Sequence, residues 1–104
     1  MHRTVVALLT SLAAMTLADA AWAVDLANGE KVARRWCAAC HVVATDQRQG
    51  NTQAAPFSEM AKLPGLDAGQ VALYLLAPHP KMPDMSLTRK EAADLAGYIL
   101  QQGH

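Results

Sequence analysis

The feature that most constrains this chain is the stretch Trp36-Cys37-Ala38-Ala39-Cys40-His41. Cys37 and Cys40 are the only cysteines. Three residues apart on one helical turn, their thiols lie on the same face. His41 follows one turn beyond Cys37, so its imidazole can be turned toward the same place. Two sulfurs and one imidazole are therefore presented together.

The pattern C-x-x-C-H is an attachment site for a c-type haem. The thiols of Cys37 and Cys40 become thioethers on the two vinyl groups, and His41 can reach the iron from below as the proximal axial ligand. Covalent attachment keeps the group in place when the iron changes charge. Three other uses of the cysteines compete with this one. A zinc site would need further ligands from His2, His41, His79 and His104, and none of these pairs at finger spacing. A thioredoxin-like pair expects a βαβ context, and no strand pattern is visible nearby. An inert structural disulfide in a secreted chain stays open.

Export is expected from the first residues. His2 and Arg3 give a basic start, Thr4 to Ala18 carry no charge, and Ala21-Trp22-Ala23 is a small-x-small cleavage site. Residues 1–23 are thus read as a secretory signal peptide and 24–104 as one domain. The uncharged run, stopped by Asp19, is shorter than the ~20 residues needed to span a bilayer, so no stable membrane anchor is expected after cleavage. Haem attachment of this type takes place outside the bacterial cytoplasm, which points to the periplasm. With Lys plus Arg at 9 and Asp plus Glu at 9, no global charge suggests a nucleic-acid partner. A domain this short is thin for a self-sufficient core, and a buried macrocycle would supply the missing apolar centre.

Helical periodicity organises the rest. Asp25 is an N-cap for a first helix over residues 25–36, with Leu26, Gly29, Val32, Ala33 and Trp36 on one stripe. Gly29 costs such a helix about 1 kcal/mol against alanine, which suggests the close approach of another backbone. Residues 42–55 read as a loop, in which Asp46 to Gln53 are polar and aperiodic. A short helix is predicted over residues 57–63, ended by Pro64-Gly65. Asp67 caps a third segment over 68–77, with Val71, Leu73, Tyr74 and Leu76 available for burial. Pro78, Pro80 and Pro83 stiffen the next loop. Thr88 and Glu91 form a capping box that opens a last helix, with Ala92, Leu95, Ala96 and Ile99 on one face, Tyr98 beside it and Gly103 after it.

An iron held by His41 on one side leaves Met60, Met82, Met85 and His79 as candidates for the other. By its parts in order, the chain resembles the small bacterial monohaem class I c-type cytochromes. Those parts are Gly29, the Cys37-to-His41 motif, Pro56, Met82-Pro83 and the helix with Leu95, Tyr98 and Ile99. The resemblance covers nearly all of residues 24–104. It implies an all-α class I cytochrome c fold of about four helices around one covalent haem c, the first and last helices crossing near Gly29 and Tyr98. It implies Met82 as the distal axial iron ligand and the Pro56 carbonyl as acceptor of the haem-histidine's Nδ1 proton. Ala33 departs from the aromatic that some members carry, and Val42 from the usual small residue after the histidine.

With both axial positions filled, no substrate reaches the iron without displacing a ligand. This argues against an enzyme and for electron transfer between redox protein partners. The first expectation is a diffusible periplasmic carrier. The second is an electron-transfer subunit of a larger periplasmic dehydrogenase or oxidoreductase complex. The third is a haem enzyme or gas sensor with a labile Met82. Arg48, Lys62 and Tyr74 are candidate donors to the haem propionates. Lys31, Arg34, Arg35, Lys81, Arg89 and Lys90 are candidates for steering an acidic partner.

Overall fold

The structure, a computed structural model, describes residues 23–50, 53–77 and 81–103. The signal-peptide reading of residues 1–23 therefore lies outside the described residues except for Ala23, as do Pro78, His79 and Pro80. The order is α1 (Leu26–Trp36), α2 (Phe57–Met60), α3 (Ala68–Leu76) and α4 (Arg89–Gln101), with no β-strand among the described residues. The fold is all-α, as expected.

The helix ends are set by side chains. The Asp25 carboxylate accepts the Asn28 N–H and starts α1, while Arg34 and Arg35 sit in its last turn, where cations suit the negative end of the helix. Thr88 and Glu91 cap α4 reciprocally. Asp67 and Gln70 do the same for α3, where the sequence suggested only the aspartate. The second helix is shorter than expected. After Met60 the chain tightens, Lys62 N–H bonding to the Glu59 carbonyl at 3.1 Å and Leu63 N–H to that of Met60 at 3.1 Å. Pro64 disfavours helical backbone at the residue before it. Gly65, at φ 73, then reverses the chain in a conformation that favours glycine.

The other three helices all pack against α4. Its buried face consists of Ala92, Leu95, Ala96 and Ile99, joined by Tyr98 and Asp94. At Gly29 the α1 and α4 backbones meet. A Cβ there would lie 2.7 Å from the Asp94 carbonyl carbon and 2.8 Å from Tyr98 Cβ, so the crossing needs a residue with no side chain. Asp94 is buried at this crossing and fully bonded. Its carboxylate accepts the Asp25 N–H at 2.9 Å, the Asn28 side-chain N–H at 2.9 Å and Lys90 Nζ at 2.8 Å. Burial pushes this carboxyl up, but the bonds from Lys90, the Asp25 N–H and Asn28 outweigh it and hold the group below the usual aspartate value.

Two expected burials differ. On α1 only Gly29, Val32 and Ala33 are buried, and Trp36 at the helix end is 45% exposed, because α4 covers only the middle of the stripe. On α3 only Val71 is buried. Leu73 is 70% exposed, since the helix meets the core through one narrow stripe that includes Ala72 and Leu75.

Candidate functional site

The attachment turn grows out of the end of α1. Cys37 is the C-cap, its N–H donating to the Ala33 carbonyl at 2.8 Å. The chain then winds back on Cys37. Its carbonyl accepts Cys40 N–H at 3.1 Å and His41 N–H at 2.8 Å, which closes the turn. No disulfide joins the two sulfurs. Cys37 is buried and Cys40 exposed, and burial pushes the Cys37 thiol up to about 11.

His41 is fixed through its ring. Nδ1 lies 2.6 Å from the Ala55 carbonyl oxygen. A carbonyl only accepts, so Nδ1 carries the proton and Nε2 keeps its lone pair for a metal. Such a bond sets the ring's orientation toward a metal. Phe57 packs beside the imidazole at 5.4 Å between ring centres, and Tyr98 packs edge-on against Phe57 at 6.4 Å. The Tyr98 hydroxyl donates to the Val43 carbonyl at 2.6 Å, which ties α4 to the chain just after the motif.

The acceptor expected at Pro56 is one residue earlier in the structure. The Pro56 carbonyl is committed to the start of α2, where it accepts Glu59 N–H at 3.1 Å and Met60 N–H at 3.0 Å. The carbonyl left for His41 is that of Ala55, which belongs to the Ala55–Pro56 peptide group.

A cleft of about 310 Å³ brings these groups together, lined by Trp36, Cys37, Cys40, His41, Tyr74, Lys81, Met82 and Met85, among others. Met82 and Met85 are both partly buried in its wall. Met60 and Met85 pack against the buried core, and among the described residues Met82 is not part of that packing. Of the three candidate propionate donors Tyr74 lines the cleft, whereas Arg48 and Lys62 are exposed and do not. The basic residues divide. Arg34 pairs with Glu30 at 3.3 Å and Asp46 at 3.1 Å, Lys90 pairs with Asp94, and Arg35 lies over the Trp36 ring at 5.1 Å. Of the steering candidates, Lys81 lines the cleft itself. Among the described residues no three His, Cys, Asp or Glu side chains converge; His2, His79 and His104 lie outside the described residues.

Two thiols, an imidazole with an available Nε2, a thioether and an apolar wall fit a covalently held haem. A helical domain built around such a cleft has the make-up of a c-type haem protein. No protein-family model matches the chain, and no solved structure matches it. Over 88 residues it is 42% identical to cytochrome c-552 of Bradyrhizobium diazoefficiens, which covers 85% of each chain. It is 36% identical over 88 residues to cytochrome c6 of Cyanidioschyzon merolae, covering 78% of each. The chain belongs to the small monohaem class I c-type cytochromes. Members of this family hold one covalent haem c and are electron carriers, not enzymes.

Sequence reasoning missed several residues of the site. Ala55 has no side-chain chemistry to mark it. Trp36 reads as core by its spacing, yet it lines the cleft. Gln47 sits in a loop whose polar composition looks like ordinary solvated surface.

Proposed function

We propose that this protein is a periplasmic electron carrier that holds its haem through Cys37 and Cys40 and its iron between His41 and Met82. The observation that carries the reading is the Nδ1–H bond from His41 to Ala55, at 2.6 Å, in a residue that shares one cleft with both thiols and Met82. When bound, the haem iron supplies a one-electron ferric/ferrous couple. Cys37 and Cys40 would hold the macrocycle as thioethers, and the Ala55 carbonyl holds the imidazole in the tautomer a metal needs. Met82 is favoured over Met85 because Met85 is engaged by the core. A thioether ligand favours the ferrous state and raises the reduction potential. Residues 1–23 are read as a signal peptide that is removed, leaving 24–104 as the working domain. Among the described residues no helix is long and apolar enough to cross a membrane.

A second reading, an electron-transfer subunit of a larger periplasmic complex, is favoured by the exposure of Leu63 and Leu73. A lasting interface would cover such side chains, whereas a shuttle docks weakly over a small area. Purification from the periplasm under gentle conditions separates the two. A carrier elutes alone as a red monomer that exchanges electrons with small redox reagents and, once reduced, does not bind carbon monoxide rapidly. Elution in a stable complex supports the subunit reading. Rapid carbon monoxide binding supports a sensor or enzyme with a labile Met82 and contradicts both.

A further inference from the structure

Gln47 lies in the polar loop after the attachment turn, and its side-chain amide is engaged at both ends. Oε1 accepts the Val43 N–H at 2.9 Å. Nε2 donates to the carbonyls of Ala38 at 2.9 Å, His41 at 2.7 Å and Gln49 at 3.0 Å. A primary amide has two hydrogens, so the three carbonyls share them through a three-centre bond. Two of the three acceptors belong to the attachment turn, and the shortest contact is to His41. The following segment lies directly on the same turn. A Cβ at Gly50 would sit 2.8 Å from the Cys40 carbonyl oxygen and 3.0 Å from the His41 carbonyl carbon.

We propose that Gln47 is the positioning residue of the iron ligand, fixing the main chain of His41 and with it the plane in which the imidazole is held. The proposal rests on His41 being that ligand. His41 is restrained at three points. Its N–H bonds to the Cys37 carbonyl at 2.8 Å, and its ring bonds to the Ala55 carbonyl at 2.6 Å. The Phe57 N–H bonds to the next carbonyl, that of Val42, at 3.0 Å, and the bond from Gln47 to the His41 carbonyl adds the restraint on the peptide group between His41 and Val42 itself. The Val43 N–H on Oε1 belongs to a buried residue whose carbonyl is held by Tyr98. The amide thus couples the ligand's main chain to α4. The role needs an acceptor and a donor on one planar group. An ionised glutamate only accepts, and a leucine does neither.

The test uses the haem-loaded protein with Gln47→Glu and Gln47→Leu. Proton NMR of the ferric form reads the His41 ring protons through their hyperfine shifts, which depend on the orientation of the ring plane. Voltammetry reads the reduction potential. Both variants should displace the ring-proton shifts and move the potential. In Gln47→Leu the Val43 amide should exchange about tenfold faster, while Gln47→Glu, which keeps that acceptor, should protect it. Asp46→Ala, in the same loop, removes only the exposed partner of Arg34 and should match the parent in both readouts. Gln47 variants that melt earlier but keep the parent's ring shifts and potential would overturn the proposal, leaving the amide an ordinary loop brace. If Gln47→Leu does not accumulate with haem, Gln47→Glu decides by the same two readouts. A parent protein lacking hyperfine-shifted His41 ring signals would instead overturn the ligand assignment beneath the proposal.

Discussion

Gly29→Ala adds one methyl group at the point where α1 and α4 meet, and the structure sets its sign. In an isolated helix the change would stabilise by about 1 kcal/mol. Here the added Cβ falls 2.7 Å from the Asp94 carbonyl carbon and 2.8 Å from Tyr98 Cβ, contacts made with or beside backbone that has little room to yield. Overpacking of this kind costs about 1–3 kcal/mol. Separating the helices also strains the bonds of Asp94 to Asp25 and Asn28 and that of Tyr98 to Val43, each contributing about 1 kcal/mol. The net expectation is a loss of about 2 kcal/mol, which lowers the melting temperature of a domain this size by about 10 °C. Gly69→Ala in α3 is the control. Its Cβ would meet only the Asp67 carboxylate oxygen, at 3.3 Å, so the change should be neutral or slightly stabilising. Thermal unfolding of the holo-protein, followed by far-ultraviolet circular dichroism, compares the two. A melting point for Gly29→Ala equal to or above the parent's would show that propensity wins and that the crossing is not tight.

The Asp94 carboxyl is held below its ordinary value, so its contribution is fully present above the unfolded-state pKa and is lost as the pH falls through the folded one. Urea midpoints measured downward through the acid range should fall more steeply for the parent than for Asp94→Asn, and parallel curves would count against this. Tyr98→Phe should cost about 1–2 kcal/mol, since the buried Val43 carbonyl loses its hydroxyl partner, and a chemical denaturation curve within error of the parent's would refute it. Met82→Ala should lower the reduction potential and let the reduced protein bind carbon monoxide, whereas Met85→Ala should lose core packing and keep the closed iron. Loss of the ferric sulfur-to-iron charge-transfer band in the Met85 variant alone would reverse the assignment.

What could be read from the sequence was what local chemistry signals. Asp25, Thr88 and Glu91 announce helix starts because their oxygens serve N–H groups only a few residues away. Gly29 announces a close approach because nothing within its own helix explains a glycine there. The attachment motif is local as well. What escaped depends on distant partners. Asp94 carries no mark in the sequence, because it is α1 that buries it and supplies donors to its oxygens. Gln47 reads as solvated loop until four backbone groups converge on its amide. Pro56 was one residue off because the sequence marks the proline and not which neighbouring carbonyl remains unused by α2. Leu73 reads as a residue available for burial, but no described part of the protein packs over that side of α3 closely enough to cover it.

The central claim is that Cys37 and Cys40 hold a single haem above His41. Intact-mass spectrometry of the protein recovered from the periplasm, followed by mapping of the peptide that contains Cys37 to His41, tests it directly. The expected product is a chain beginning at Val24 that carries one haem through both sulfurs and keeps it after acid extraction. A chain of unmodified mass, or one carrying a Cys37–Cys40 disulfide in place of the thioethers, would contradict it.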